Sequence, residues 1–232
     1  MTKTIVIMAK APFPGQAKTR LAAAIGAEEA ARLHRAFLSQ SIATALASGD
    51  AKVALMAPDE RHAASLATIA PAGVEVWAQK RPSLMAGISQ GFERAFAAGA
   101  ELVVVSETDS ANLPGSYLTR CFELLGGSRP ALALGPCSDG GYYLAGAAGL
   151  SDDLARALFE GETYDSSTIC RRTADRAVKL GLRVEMGPEW YDVDTIDDLQ
   201  RMINDLDRGP KGSFDSLRQA IAATRLPAVD PA

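Results

Sequence analysis

The sequence predicts one α/β domain built on a mostly parallel, twisted sheet flanked by helices. Short apolar runs with strand character alternate with longer segments in which apolar residues recur at helical spacing. This β-α-β order implies right-handed crossovers between parallel strands. The length of 232 residues suits one large domain of this class, and no segment has the composition of a linker. We expect the domain to span residues 1–226 and residues 227–232 to form a flexible tail.

The first half of the chain alternates strands with crossover helices. The predicted strands are residues 4–8, 52–56, 74–77 and 102–105, and the predicted helices are residues 27–47, 60–69 and 84–98. Residues 9–20 contain Pro12, Pro14 and Gly15 and are predicted to form a loop. The first and fourth strands are the most continuously apolar, which indicates burial on both faces of the sheet.

The second half departs from this rhythm. A helix at residues 117–125 precedes a strand at 131–134, and a partner strand begins at residue 142, across a turn at 138–141. Helices at 153–159 and 167–179 lead to a short strand at 183–186. Thr195 opens a helix that ends near Leu206, with Asp198 placed to complete a capping box. Residues 214–223 form the last predicted helix.

Composition excludes several classes of function. A formal net charge of -4 argues against a broad basic face for nucleic acid. Cys121, Cys137 and Cys170 are widely spaced and lack a Cys-x-x-Cys pattern, so we expect reduced, buried thiols rather than a zinc or redox site. The apolar residues 4–9 are too few for a signal peptide or a membrane span. We therefore expect a soluble cytoplasmic protein that binds neither nucleic acid nor membranes.

Charged side chains follow several of the predicted strands. Lys18 and Arg20 come after the first strand, Asp109 follows the fourth, and Asp139 and Asp192 follow later ones. In open α/β sheets ligands bind beyond the carboxyl ends of the strands, so these segments are expected to converge. Cations and carboxylates together indicate a phosphate and metal site, which favours a nucleotide-handling transferase.

The loop after the first strand is the candidate nucleotide-binding segment. We predict nucleotide contacts from Ala9, Lys10, Gly15, Lys18 and Arg20, because backbone N–H groups in such a loop attract phosphate, lysine adds a point charge and arginine a forked contact. Lys18 and Arg20 are also the expected catalytic groups. The adjacent Gly-Lys pair of a P-loop is missing, which argues against a kinase or ATPase. A solvated basic turn explains the same spacing equally well.

The acidic residues have structural alternatives. A carboxylate at a strand end, such as that of Asp109 or Asp192, holds Mg²⁺ well against a diphosphate. Taken alone, Asp109 is better explained as a cap for the following turn, and Asp194 lies where negative charge favours a helix start. Asp139 and Gly140 are a strong hairpin-turn pair in their own right.

The two histidines do not suggest nucleophilic catalysis. His34 and His62 fall in predicted amphipathic helices, with no serine or cysteine placed to act with them. We expect surface or packing roles for both, and no covalent intermediate.

Four ordered motifs resemble one known family. They are residues 9–21 (AKAPFPGQAKTRL), 109–114 (DSANLP), 135–144 (GPCSDGGYYL) and 192–199 (DVDTIDDL). Together they resemble a bacterial family of glycosyltransferases in the nucleotide-diphospho-sugar transferase superfamily, which is similar to the molybdenum-cofactor and phospholactate guanylyltransferases. The resemblance implies a glycosyltransferase-A type fold, a nucleotide or nucleotide-sugar ligand, a small-molecule acceptor, and Mg²⁺ or Mn²⁺.

The resemblance also implies roles for individual residues. Lys18 and Arg20 fall where the superfamily's basic residues meet the nucleotide phosphates. Asp109 matches the strand-end metal ligand. Residues 190–195 (WYDVDT) resemble a segment whose first aspartate is the second ligand, which favours Asp192 over Asp194.

The 135–144 motif matches the part of the family that faces the acceptor or the sugar. The residues that the resemblance assigns to this contact are Asp139, Gly140, Gly141 and Tyr142.

Three functions remain open on the sequence. The first is glycosyl transfer from a nucleotide sugar, and the second is nucleotidyl transfer with release of pyrophosphate from a nucleoside triphosphate. The third is a catalytically silent nucleotide-binding module, because residues 107–111 (ETDSA) and 83–87 (SLMAG) depart from the family pattern.

Overall fold

A computed structural model describes residues 1–160, 165, 167–209 and 212–226. The strands are β1 (Lys3–Met8), β2 (Lys52–Ala57), β3 (Glu75–Ala78), β4 (Leu102–Glu107), β5 (Ala131–Pro136), β6 (Tyr142–Ala148) and β7 (Arg183–Met186). The helices are α1 (Thr19–Ile25), α2 (Ala27–Ala47), α3 (Glu60–Ala67), α4 (Leu84–Ala97), α5 (Gly115–Leu124), α6 (Asp152–Phe159), α7 (Ile169–Lys179), α8 (Ile196–Arg208) and α9 (Asp215–Ala222). The predicted tail at 227–232 lies outside the described residues.

The described strands form one seven-stranded sheet in the order β3-β2-β1-β4-β6-β5-β7. Strand β6 pairs antiparallel with both of its neighbours, and the other pairings are parallel. The chain therefore moves outward from β1 to β3 and then returns to the other side of β1 as β4. The predicted α/β class, with a mostly parallel sheet between helices, is confirmed.

The centre of the sheet is apolar on both faces, as the sequence predicts. In β1, Ile5, Val6 and Ile7 are buried, and β4 places Val103, Val104 and Val105 beside them. One hydrophobic cluster covers each face, and a third lies between α1, α2, α8 and α9. Burial of these strands fixes where their carboxyl ends emerge, and therefore where the charged residues beyond them meet.

The structure corrects the loop predicted for residues 9–20. It ends at Lys18, and a two-turn helix, α1, begins at Thr19. Gly26, with φ of 87°, separates α1 from α2. The sequence did not predict α1 because this short helix has no side-chain N-cap and little apolar periodicity.

Two local predictions about the later elements are confirmed. Thr195 and Asp198 form the predicted capping box at the start of α8. Strands β5 and β6 form the predicted hairpin, although β6 is longer than expected and ends at Ala148. Cys121, Cys137 and Cys170 are buried and free, as expected. Within the described residues, no helix combines the length and the apolar character needed to span a bilayer.

Candidate active site

A cavity of about 580 Å³ opens at the carboxyl edge of the sheet. Lys10 after β1, Pro58 after β2, Gln79 after β3 and Asp109 after β4 all line it. Strands β1 and β4 are adjacent, but the chain between them first builds β2 and β3. This is the switch point where open α/β sheets bind ligands, so the cavity is the candidate active site.

The ammonium of Lys18 lies at the floor of the cavity among three oxygen atoms. Its Nζ is 2.7 Å from Asp109 Oδ1, 3.3 Å from Asp194 Oδ1 and 2.6 Å from the Val193 carbonyl oxygen. Only 2% of the Lys18 side chain is exposed. Burial alone would lower the pKa of Lys18, but Asp109 and Asp194 outweigh it and raise the pKa, so the ammonium stays charged.

Two distant segments are joined at this point. The Val193 N–H donates to the Asp109 carbonyl oxygen at 2.9 Å, and the Ser110 hydroxyl donates to Asp192 Oδ1 at 2.7 Å. Arg20, at the rim, reaches Asp194 Oδ2 at 3.3 Å and is 68% exposed. The basic loop after β1 therefore meets the acidic segments after β4 and before α8, as the sequence predicts.

Carboxyl groups outnumber the buried cation at the floor of the cavity. Burial, with Asp192 and Asp109 nearby, raises the pKa of Glu107 well above its usual range. Burial, with Asp109 adding to it, raises the pKa of Asp192 to about 6. Burial would also raise the pKa of Asp109, but the neighbouring Lys18 ammonium outweighs it and lowers the pKa. The cluster therefore has room for more positive charge than Lys18 supplies.

The predicted nucleotide-binding residues lie around this cavity. Ala9, Lys10, Lys18 and Arg20 line it, and Gly15 lies in the same loop, directly before the lining residue Gln16. These positions agree with the predicted phosphate loop, whose binding role stays a prediction.

The two predicted metal ligands are placed differently. Asp109 contributes to the cavity lining and contacts Lys18, whereas Asp192 faces Ser110 and Cys137 behind it. Asp194, the alternative to Asp192, shares the Lys18 ammonium with Asp109.

Glu107, Ser83 and Gln79 are among the lining residues that the sequence did not predict as site residues. Glu107 ends β4 and faces the acidic cluster. Ser83 has φ of 87°, a conformation that non-glycine residues rarely adopt, and its side chain caps α4. Gln79 packs across Gly87, where any side chain would collide with it. The sequence signal for Ser83 and Gln79 is their position after β3, because each parallel strand at a switch point contributes a loop.

His34, on α2, packs against the loop after β1 and also lines the cavity. Its Nε2 lies 2.9 Å from the Lys10 carbonyl oxygen, which fixes the proton on that nitrogen. Burial lowers the pKa of His34. His62 accepts a hydrogen bond from the Ala11 N–H at its Nδ1. Both histidines are buried rather than at the surface, and each forms a hydrogen bond with the loop after β1.

The loop that forms the far wall of the cavity is held by long-range contacts. Gln90 Oε1 accepts hydrogen bonds from the backbone N–H groups of Lys80 and Arg81. Arg81 also bonds Glu93 at 2.6 Å and Glu160 at 2.9 Å. These contacts join the wall to α4 and to Glu160, the residue that follows α6.

The predicted acceptor-facing residues sit in the turn between β5 and β6. The Gly141 N–H donates to Asp139 Oδ1 at 2.9 Å, and Gly140 has φ of 97°. Tyr142 is buried and its hydroxyl lies against the Met85 sulfur. Among the described residues, this turn contributes none to the lining of the cavity. Its contact with an acceptor stays a prediction.

The side chains at the floor suit a hard cation that receives part of its shell from a ligand. Within the described residues, no group of three His, Cys, Asp or Glu side chains is arranged to hold a metal alone. Mg²⁺ is commonly bound by one or two carboxylates together with substrate phosphate and water. Asp109 with Asp194, or with Asp192, provides such a partial set.

Comparison with known families decides what this chain is related to. The model of the family described as "Uncharacterized protein conserved in bacteria (DUF2064)" matches residues 41–166, more than half of the chain. The protein belongs to the DUF2064 family. No curated protein matches its sequence. The proposed link to the molybdenum-cofactor and phospholactate guanylyltransferases stays a prediction for this member of DUF2064.

Solved structures with the same fold include nucleotide-handling enzymes. A candidate nucleotide-diphospho-sugar transferase from Desulfovibrio desulfuricans G20 is 25% identical, with a TM-score of 0.81 over 96% of this chain and 98% of that one. A cytidylyltransferase from Leptospira borgpetersenii is 14% identical, with a TM-score of 0.58 over 96% and 93%. The 4-diphosphocytidyl-2C-methyl-D-erythritol synthase of Anaerococcus prevotii is 11% identical, with a TM-score of 0.58 over 89% and 96%. The DUF2064 chain therefore has the nucleotide-diphospho-sugar transferase fold.

Proposed function

We propose that this DUF2064 protein is a nucleotide-dependent transferase whose cavity binds the diphosphate group of a nucleotide sugar. The observation that carries the proposal is the meeting of Lys18, Arg20, Asp109 and Asp194 at the switch point between β1 and β4. The similarity to a candidate nucleotide-diphospho-sugar transferase across nearly the whole chain supports the same class of ligand.

The cavity has the size and the charge distribution for such a ligand. Its volume of about 580 Å³ falls in the range of small-molecule sites. Lys10 and Arg20 bring positive charge to the rim, and Lys18 lies beneath them. We assign the phosphates to this side of the cavity, and the rest of the nucleotide to the wall at Gln79 and Ser83.

A divalent ion fits the acidic floor. Asp109 and one of Asp192 or Asp194 would hold Mg²⁺ or Mn²⁺, which when bound supplies charge neutralisation for the departing phosphate. The chain's own contribution is positional. Lys18 and Arg20 would stabilise the leaving diphosphate, and the fixed loops would exclude water from one side of it.

We place glycosyl transfer first because a candidate nucleotide-diphospho-sugar transferase is similar to this protein over nearly the whole chain. The described site also lacks an activated nucleophile. Burial raises the pKa of the Cys137 thiol, which lies beside Asp192, so at neutral pH it remains protonated. His34 donates from Nε2 to the Lys10 carbonyl oxygen, and its buried Nδ1 has no hydrogen-bond partner, so no nucleophile is paired with it. A direct displacement therefore agrees better with these residues than a covalent intermediate does.

Nucleotidyl transfer is the second candidate, and the basic loop favours it. Lys10, Lys18 and Arg20 place three cations in the segment after β1, which suits the larger negative charge of a triphosphate. In that reaction an acceptor phosphate attacks the α-phosphate and pyrophosphate leaves.

Product analysis tests both candidates. The protein is incubated with nucleotide sugars or with nucleoside triphosphates, each with Mn²⁺ and a panel of phosphorylated and hydroxylated acceptors. We expect slow release of a nucleoside diphosphate from a nucleotide sugar, and Asp109→Asn should abolish it. Pyrophosphate released from a triphosphate would establish the second candidate instead. Binding without turnover of any donor would leave only a nucleotide-binding module.

A further inference from the structure

The hydrogen-bonding capacity of Lys18 is fully used inside the protein. A lysine ammonium has three N–H donors and no acceptor. Three oxygens receive them, from Asp109, Asp194 and the Val193 carbonyl. We call these three oxygens the oxygen cage. Lys18 therefore cannot bind a phosphate oxygen without giving up at least one cage contact.

The oxygen cage has the composition of a cation site rather than of a surface ion pair. Two carboxylates and one backbone carbonyl are the oxygen types that hard divalent ions bind in proteins. The ring of Phe37 lies 5.4 Å from the Lys18 nitrogen and covers another side. With 2% of the side chain exposed, the ammonium occupies an enclosed position.

The backbone at Lys18 shows that this placement is built into the fold. Lys18 has φ of 50° and ψ of 46°, in the left-handed region that is costly for a side chain other than glycine. Among the described residues, Lys18 and Ser83 are the non-glycine residues with positive φ, and both line the same cavity. Such conformations persist where the surrounding contacts hold them, and the oxygen cage supplies those contacts for Lys18.

We propose that the Lys18 ammonium is the resident cation of the oxygen cage and exchanges with a divalent metal ion when Lys18 turns to the phosphates of a nucleotide. Before and after the exchange, a cation balances the negative charges of Asp109 and Asp194. In the protein alone, lysine and metal compete for the cage. The part of the inference that concerns phosphate rests on the proposed function, whereas the competition between lysine and metal does not.

The competition is tested with Mn²⁺ alone. Lys18→Met removes the ammonium but keeps an unbranched stem against Phe37. We expect its Mn²⁺ affinity, measured by electron paramagnetic resonance of free Mn²⁺, to exceed that of the unmodified protein about tenfold or more. Lys10→Met is the matched control, because it removes the same charge from the same cavity but not from the cage. Its affinity should change less than about threefold, since the charge lies near the solvent.

Two double variants locate the bound ion. Adding Asp194→Asn to Lys18→Met should remove the gain in Mn²⁺ affinity, whereas adding Asp192→Asn should leave most of it. If Asp192→Asn removed the gain in Mn²⁺ affinity and Asp194→Asn left it intact, the cage assignment would be wrong. If Lys18→Met is unfolded without metal, we expect Mn²⁺ to restore its folding, as followed by circular dichroism. Failure to fold at saturating Mn²⁺ would also overturn it.

A second arm adds a nucleoside diphosphate. In the unmodified protein the nucleotide should raise the Mn²⁺ affinity, and in Lys18→Met this coupling should be largely lost. A gain in Mn²⁺ affinity in Lys18→Met, together with no effect of nucleotides on the Mn²⁺ affinity of the unmodified protein, supports the exchange site and refutes the proposed function. Mn²⁺ affinity that is equal or lower in Lys18→Met than in the unmodified protein overturns the inference, whatever the nucleotides do.

Discussion

The floor of the cavity and the turn between β5 and β6 each contain an aspartate that follows a strand. The two aspartates differ in the groups that bind their carboxylates. Asp139 accepts a hydrogen bond from Gly141, two residues away. Asp109 is balanced by Lys18, which also contacts Asp194, 176 residues after Lys18 in the sequence. The hydrogen bond from Gly141 to Asp139 is sufficient to explain Asp139 as a turn residue. A charge balanced across distant segments requires the fold to assemble it, which is what a ligand site needs.

The largest effect should come from Asp109. Asp109→Asn removes the charge that balances Lys18 and would hold a metal ion, so metal-dependent turnover of a nucleotide sugar should fall on the order of 10²- to 10³-fold. Initial rates with and without Mn²⁺ measure this. Asp197→Asn is the control, since Asp197 is exposed in the first turn of α8 and should leave the rate nearly unchanged. Equal losses in both variants would contradict a specific role for the floor.

Lys18 and Arg20 should differ in their contribution to nucleotide affinity. Hydrogen bonds to charged groups contribute roughly 1.5–3 kcal/mol, so Lys18→Ala should weaken binding about ten- to a hundredfold. Arg20→Ala should weaken it less, because most of its side chain is in solvent. Thermal shift at increasing nucleotide concentration with Mn²⁺ gives both values. A larger loss in Arg20→Ala would move the phosphate contact from the floor to the rim.

The charge of Glu93 should stabilise the loop that forms the far wall of the cavity. Burial would raise the pKa of Glu93, but hydrogen bonds from Arg156, Arg81 and Ser89 outweigh it and lower the pKa. Glu93→Gln should therefore cost about 2 kcal/mol of unfolding free energy at neutral pH.

The pH dependence of this difference follows from the sign of the pKa shift. Because the pKa of Glu93 is lower in the folded protein, its carboxylate stabilises the fold fully above the pKa of the unfolded chain, about 4.3. This stabilisation is lost as the pH falls through the pKa of the folded protein. Urea unfolding at pH 7 and at about pH 3 should show the difference between the two proteins shrinking in acid. A constant difference would mean that the charge of Glu93 is not what fixes the wall.

A substitution in the turn between β5 and β6 should change the stability of the protein but not its nucleotide affinity. Asp139→Ala removes the local hydrogen bond to the Gly141 N–H and should lower the unfolding free energy by about 1 kcal/mol. Nucleotide affinity with Mn²⁺ should stay within about twofold of the unmodified protein, because the turn does not line the cavity. A clear loss of nucleotide affinity would extend the site across β6 and remove the distinction between the two regions.

The sequence predicted the fold and the meeting of charged segments at one edge of the sheet better than it predicted their detailed contacts. The four strand-end segments were expected to converge, and the basic loop, Asp109 and the segment before α8 do meet. The choice between Asp192 and Asp194 depends on which way the side chain on each side of Val193 points, and residue types and spacing do not reveal this. The short helix α1 also escaped prediction, because Lys18 enters it through a left-handed conformation that the tertiary contacts impose.

A crystal structure with a nucleoside diphosphate and Mn²⁺ bound tests the central claim most directly. The account predicts the diphosphate in the cavity at the ends of β1 and β4, within hydrogen-bonding distance of the Lys18 nitrogen. Asp109 is predicted to bind Mn²⁺ in that complex. A nucleotide bound elsewhere on the protein, or bound in the cavity with its phosphates pointing away from Lys18 and Asp109, would contradict the account.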